Sequence, residues 1–93
     1  MRSHAERLAT DLERAVESAY QNHHGFTAQV PVARAAVIEA RAELLSLARE
    51  LREHPRPTAV ALTEQLLVDS LSPLYHPQAA GELSAAARRA RAA

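Results

Sequence analysis

The sequence predicts an all-α protein, a small up-and-down bundle of four helices with a long second helix and the third helix at its centre. Apolar residues through the middle of the chain recur at alternating steps of three and four, which places them on one helix face. Prolines follow the apolar stretches and restrict the preceding residue to extended conformations, which ends a helix. No stretch shows the alternation of apolar and polar residues that is typical of a strand. The repeat, called the heptad seam below, consists of Val30, Ala33, Val37, Ala40, Leu44, Leu47 and Leu51.

The composition indicates one small domain that carries no net charge. The chain has 93 residues, and a domain of this size buries only about 60–65% of the surface of its unfolded chain. Eleven basic residues, all of them arginine, balance eleven acidic residues. No overall field therefore draws the chain to nucleic acid or to an anionic membrane. Cysteine is absent, which excludes disulfides and thiol catalysis.

No targeting or membrane-spanning segment is recognisable in the sequence. The first residues lack the apolar stretch that follows the charges of a signal peptide. No stretch approaches the roughly 20 apolar residues that span a bilayer. We therefore expect a soluble, cytoplasmic protein that makes no membrane contact.

The first helix is predicted to begin with a capping box. Ser3 can accept a hydrogen bond from the amide of Glu6, while the side chain of Glu6 reaches back. Because the apolar spacing fades after Tyr20, Gly25 is predicted to end the helix in the left-handed conformation. The apolar face consists of Ala5, Leu8, Ala9, Leu12, Val16, Ala19 and Tyr20.

The second helix is predicted to run from about Pro31 to His54. Pro31 suits the first turn of a helix, where its missing N–H needs no partner. Ile38 and Leu45 lie beside the heptad seam, so the buried stripe is expected to be wider than that of a two-stranded coil. The two prolines within residues 54–57 end this helix.

The third helix is predicted from about Ala59 to Leu71, with Thr58 as its cap. Its apolar residues cover most of the circumference, so we expect it in the centre of the bundle or in a dimer interface. A last helix is predicted to begin between Gln78 and Glu82 and to reach the C-terminal end. Its thin apolar face consists of Leu83, Ala86, Ala87 and Ala90.

Neither a metal site nor a catalytic group is predicted. Imidazoles can gather around a metal, but the histidines lie at predicted helix ends or in connectors, where they interact with terminal carbonyls. Glu39 and Glu43 are one turn apart, yet their position away from the heptad seam predicts a solvated face. We expect no enzyme activity, no cofactor and no metal. The histidines considered are His23, His24, His54 and His76.

Arg88, Arg89 and Arg91 form the only cluster of like charge in the chain. They are candidate phosphate contacts. Alternatively, they offset the negative end of the helix macrodipole at the C-terminus of the last helix. The second interpretation is favoured, because no lysine or aromatic residue accompanies them as in a nucleic-acid interface.

The short segment Ser72-Pro73-Leu74-Tyr75, whose leucine and tyrosine lie between Pro73 and Pro77, has two interpretations. It either folds back and closes one end of the bundle, or it presents its leucine and tyrosine to a partner, since aromatic side chains contribute strongly to interfaces. The full set of candidate interface residues is Val37, Leu44, Leu47, Leu51, Leu67, Leu74 and Tyr75.

Two stretches resemble small Ala- and Arg-rich helical proteins of actinobacterial type that have no assigned activity. The first comprises VPVAR, LLSLA and LR at residues 30–34, 44–48 and 51–52, and the second is LLVDSLSPLY at residues 66–75. The chain departs from that pattern at residues 69–71, where a glycine is expected after the acidic residue. The resemblance implies a small helical protein and supplies no site residues.

The sequence favours a non-enzymatic protein that mediates protein–protein contact, including self-association as a homodimer through helices two and three. If the heptad seam pairs two copies, Leu44→Glu should separate them. The alternative is a small DNA-binding regulator, with residues 54–57 as the turn of a distorted helix-turn-helix and Arg56 and the C-terminal arginines on phosphates. We do not expect nucleic-acid binding, because Glu64 and Asp69 on the third helix would repel phosphate.

Overall fold

A computed structural model describes residues 3–27, 31–70 and 80–93, with side chains for 3–18, 35–68 and 80–93. These residues form four α-helices and no strand: α1 (His4–Thr27), α2 (Pro31–Glu53), α3 (Pro57–Ser70) and α4 (Ala80–Ala92). The predicted all-α fold of four helices is confirmed. The second helix is long, as predicted, at 23 residues, and α1 matches it at 24.

The start of α1 is confirmed, but its predicted end is wrong. The Glu6 amide donates to Ser3 Oγ over 3.1 Å, and the Arg7 amide donates to the Ser3 carbonyl over the same distance. The helix then continues through Gly25 to Thr27, and no described glycine has a positive φ. A glycine inside a helix costs about 1 kcal/mol relative to alanine. That is too little to end a helix by itself.

The boundaries of the other helices agree with the sequence except at the start of α3. α2 ends one residue before the predicted His54, and α4 begins within the predicted interval. α3 begins at Pro57, and the Val60 amide donates to the Arg56 carbonyl over 2.9 Å. Thr58 therefore lies in the first turn and is not the cap. Proline is well suited to the first helical position, because an N–H there has no partner within the helix.

The inner face of α2 forms the centre of the core. Leu44, Leu47 and Leu51 are fully buried, and Val37 is half-buried against the same cluster. Val30 lies outside the described residues, as does the side chain of Ala33. The seam therefore packs within the chain, and its three leucines are not a surface of the folded protein. Their neighbours in the core from α1 and α4 are Leu8, Ala9, Leu12, Val16, Leu83, Ala87 and Ala90.

α2 lies between α1 and α4 and makes its most extensive contacts with them. Glu13 binds Arg52 and Glu17 binds Arg41. Later residues of α1 thus meet earlier residues of α2, so the two helices are antiparallel.

Contacts on the other side of α2 fix the direction of α4. Arg88 binds Glu39, and Arg91 lies against Glu43. The residues of the two helices follow in the same order, so α4 runs parallel to α2. Both directions are those of an up-and-down bundle.

The prediction that α3 occupies the centre of the bundle is wrong. α3 packs mainly against α4 and to a smaller extent against α1. It buries Ala59 and Thr63, whereas Leu62 and Val68 are 41% and 82% exposed. Ile38 on α2 is also 44% exposed and does not widen the buried stripe. Although apolar residues surround most of α3, the helix is not buried on all sides, because the leucines of α2 already fill the centre of the bundle.

We expect Leu44→Ala to lower the free energy of unfolding by about 3 kcal/mol, because it leaves a cavity in a fully packed site. The control Leu62→Ala should cost less than about 1 kcal/mol, since that residue is 41% exposed and leaves no closed cavity. Chemical denaturation followed by circular dichroism measures both values. Equal effects would contradict the assignment of the core. For the same reason, Leu44→Glu tests folding and cannot test association.

Candidate interaction surfaces

A pair of ionic contacts ties α1 to one flank of α2. The Arg52 guanidinium donates to both carboxylate oxygens of Glu13, over 2.6 and 2.7 Å, and to Thr10 Oγ1 over 3.0 Å. Arg41 Nε donates to Glu17 Oε1 over 2.7 Å. The hydrogen bond from Arg52 lowers the pKa of Glu13 below its ordinary value, and the same bond raises the pKa of Arg52.

The opposite flank of α2 binds two of the three arginines that were candidate phosphate contacts. Arg88 donates to Glu39 and lies 3.6 Å from Glu43. Arg91 Nη2 lies 2.9 Å from Glu43 Oε2, an ion pair whose alignment does not make a hydrogen bond. Arg88 and Arg91 thus neutralise the carboxylates of α2, while Arg89 is exposed. Glu39 and Glu43 are accordingly an ion-paired face and not a simple solvated one.

Arg56, the residue before α3, binds the C-terminal end of α4. Its guanidinium donates to the Arg91 carbonyl and lies 3.7 Å from Glu50. A carbonyl in the last turn of a helix lacks an intrahelical donor, so an arginine there satisfies it and offsets the negative end of the helix dipole. The connector between α2 and α3 is therefore attached to α4, and Arg56 is already bound to protein groups.

Histidine and acidic side chains do not gather into a metal site in the described residues. No group of three or more histidine or acidic side chains is close enough to hold a metal ion in the described part of the chain. His4 Nε2 lies 3.0 Å from Glu64 Oε1 and links α1 to α3. His54 lies in the exposed connector. The side chains of His23, His24 and His76 lie outside the described residues.

A surface depression of about 260 Å³ lies over α1 and is lined by Arg7, Thr10, Asp11 and Arg14. Arg7 and Arg14 are cationic and Asp11 is anionic, so the depression carries charges of both signs. None of the helices in the described residues combines the length and apolar content that crossing a membrane requires.

The exposed side of α3 carries aliphatic and uncharged polar residues at the positions whose side chains are described. We call Thr58, Ala61, Leu62, Gln65 and Val68 the α3 outer face; all five are exposed and occupy one side of the helix. Its aliphatic members are Ala61, Leu62 and Val68, and contiguous exposed apolar surface is a feature of protein contact sites. Glu64, which contacts His4, lies at one edge of this face.

A second apolar surface lies on α2, opposite the heptad seam. Ala35, Ile38, Ala42 and Leu45 follow steps of three, four and three, and we call them the α2 outer stripe. The first three are exposed and Leu45 is half-buried. Because α2 and α3 make few contacts with one another, the two surfaces are separate.

The remaining interface candidates are not brought together. Leu67 is half-buried against the core, and Leu74 and Tyr75 lie outside the described residues. Sequence reasoning did not single out Ile38, Leu62 and Val68. It placed Ile38 in the buried stripe of the second helix, and it assigned the apolar residues of the third helix to the centre of the bundle or to a dimer interface without selecting these two side chains. The steps of three and four that connect Ile38 to Leu45 were the available signal for a second apolar face.

Comparisons of this chain with protein-family models, curated proteins and solved structures found no match.

We expect Ser84→Ala to raise the free energy of unfolding by about 1 kcal/mol. Ser84 Oγ is buried without a hydrogen-bond partner, and an unsatisfied buried hydroxyl destabilises the folded state. The control Ser18→Ala, at an exposed position of α1, should add only the helix propensity of alanine, about 0.5 kcal/mol. Thermal denaturation of the two variants compares them. Equal gains would mean that the Ser84 hydroxyl carries no penalty.

We also expect the contact between Glu13 and Arg52 to make stability depend on pH. Because the folded state lowers the pKa of Glu13, its contribution is fully present above the ordinary carboxylate range and is lost as the pH falls through the lowered value. This contribution is about 0.5 kcal/mol, since the pair is partly solvated. Urea denaturation at pH 7 and at pH 3 should show a smaller acid loss for Glu13→Gln than for wild type. An identical loss would contradict the assignment.

Proposed function

We propose that the protein is non-catalytic and acts through contacts with other protein surfaces, including a second copy of itself. The observation that carries this proposal is the α3 outer face, where Leu62 and Val68 are 41% and 82% exposed. Burying such a patch against a partner stabilises a complex by the hydrophobic effect. The lack of cysteine is compatible with a reducing cytoplasm, where we propose that the protein acts.

The positions of the arginines support protein contacts over DNA binding. Arg41, Arg52, Arg88 and Arg91 each lie against a carboxylate of the same chain. Nucleic-acid affinity comes mainly from cations that release counterions from phosphates, and these four would first have to leave their partners. A recognition helix also requires polar side chains that reach base edges. The α3 outer face offers only Thr58 and Gln65 as polar side chains among its five described members.

We expect Val68→Glu to change the free energy of unfolding by less than about 0.5 kcal/mol, because the side chain is 82% exposed. A charged side chain on a contact surface should not destabilise the isolated chain. Leu66→Glu, on the buried side of α3, should lower the free energy of unfolding by several kcal/mol. Urea denaturation measures both. A loss of more than about 2 kcal/mol for Val68→Glu would mean that this face belongs to the core, which contradicts the proposal.

Self-association is tested by light scattering over a dilution series. We expect the mass of the wild-type chain to rise above the 10.1 kDa of the monomer as the concentration increases. The double variant Ile38→Glu/Val68→Glu charges both apolar surfaces and should stay monomeric. A dimer with a dissociation constant as weak as about 1 mM would still be populated at a protein concentration of about 1 mM. A wild-type chain that remains a monomer at that concentration would contradict self-association.

A further inference from the structure

We propose that the α2 outer stripe binds a second copy of this chain, with the two α2 helices antiparallel across a twofold axis. The inference rests on the proposed function and specifies one surface and one occupant for it. It concerns Ala35, Ile38, Ala42 and Leu45, none of which was a candidate interface residue from sequence.

The first argument is that α2 is apolar on two opposite sides. Its inner side, with Leu44 and Leu47, is covered by α1 and α4. Its outer stripe has the same alternation of three and four residues, which is the spacing with which one helix packs on another. On that side Ala35, Ile38 and Ala42 are exposed, and Leu45 is half-buried against the core. A helix with two apolar sides is typical of a position between two packing partners.

The second argument is the alternation of small and large side chains. In an antiparallel pair with its twofold axis level with residue 40, each alanine of one copy faces a large residue of the other. Ala35 then lies opposite Leu45, and Ile38 lies opposite Ala42. A parallel pair would place identical residues together, so two alanines would leave a gap and two isoleucines would hold the helices apart. Close packing without voids therefore favours the antiparallel pair.

The third argument is the charge on each side of the stripe. Antiparallel packing brings each flank of α2 against the same flank of the second copy. On one flank Glu39 is neutralised by Arg88, and on the other Arg41 is neutralised by Glu17. Each flank therefore carries both signs, and the guanidinium of one copy can approach the carboxylate of the other. A flank of uniform sign would repel its equivalent, whereas these flanks are self-complementary.

The size of the stripe sets the strength of the expected dimer. The span from Ala35 to Leu45 is about 15 Å along the helix at 1.5 Å per residue. Arg49 occupies the next position of the same repeat and is exposed, so the apolar stripe ends there. This surface is smaller than the roughly 800 Å² per partner of a standard interface. We therefore expect a reversible dimer, which leaves both α3 outer faces available to other proteins.

Disulfide trapping tests the direction of the pair, since the native chain has no cysteine. Two single variants, Ala35→Cys and Leu45→Cys, are mixed and oxidised under mild conditions. In an equimolar mixture, random pairing would make the mixed disulfide equal to the two homodisulfides combined. We expect it to exceed their sum, because only the antiparallel pair places these two positions opposite one another. The exposed control is Ser18→Cys. A predominance of Ala35→Cys homodisulfides, or cross-linking no greater than that of the control, would overturn the proposal.

Light scattering of single variants separates this inference from the proposed function. We expect Ile38→Glu to raise the dissociation constant of the dimer about tenfold or more. Ser18→Glu, which adds the same charge on α1, and Val68→Glu should leave it unchanged. If Val68→Glu abolishes association and Ile38→Glu does not, the α2 outer stripe is the wrong surface while the proposed function stands. A wild-type chain that never associates overturns this dimer and the self-association together.

Discussion

The packing of the inner leucines of α2 against two other helices is the constraint on which the rest of this structure depends. Leu44, Leu47 and Leu51 have no solvent exposure, and each needs contacts from more than one neighbouring helix to reach that state. α1 supplies these contacts mainly with Leu8, Leu12 and Val16, whereas the buried face of α4 is rich in alanine. Ala87 and Ala90 on α4 are buried, and their small side chains let the backbone of α4 approach α2 closely. The chain thereby fills its small core with the side chains of three helices.

This arrangement explains why the charged residues lie where they do. Once α1 and α4 occupy the two sides of α2, the carboxylates and guanidinium groups along their edges meet across the helix boundaries. The contacts of Glu13 with Arg52 and of Arg88 with Glu39 fix the register without occupying the core. Individually such exposed pairs contribute less than about 1 kcal/mol. They also place four arginines, Arg41, Arg52, Arg88 and Arg91, against carboxylates of the same chain.

The sequence predicted the helices well and their mutual positions poorly. Proline positions and the cap that Ser3 Oγ provides for the Glu6 amide determine local structure, so α2 and the start of α1 could be predicted from neighbouring residues. The central position predicted for α3 was wrong, because hydropathy alone does not say which of two apolar helices the others cover. Ion pairs such as Arg88 with Glu39, which are 49 residues apart, are set by tertiary packing. The exposure of Ile38 and Val68 depends on that packing as well.

If α2 is the helix around which the chain packs and α3 lies at its periphery, the two should differ in their resistance to local unfolding. Native-state hydrogen exchange, resolved by residue, measures this difference directly. Amides of α2 between residues 40 and 51 should exchange most slowly, with the free energy of global unfolding. Amides of α3 should exchange faster, through local opening that leaves the other helices intact. Equal protection of α3 and α2, or greater protection of α3, would contradict this account of the fold and of the surfaces derived from it.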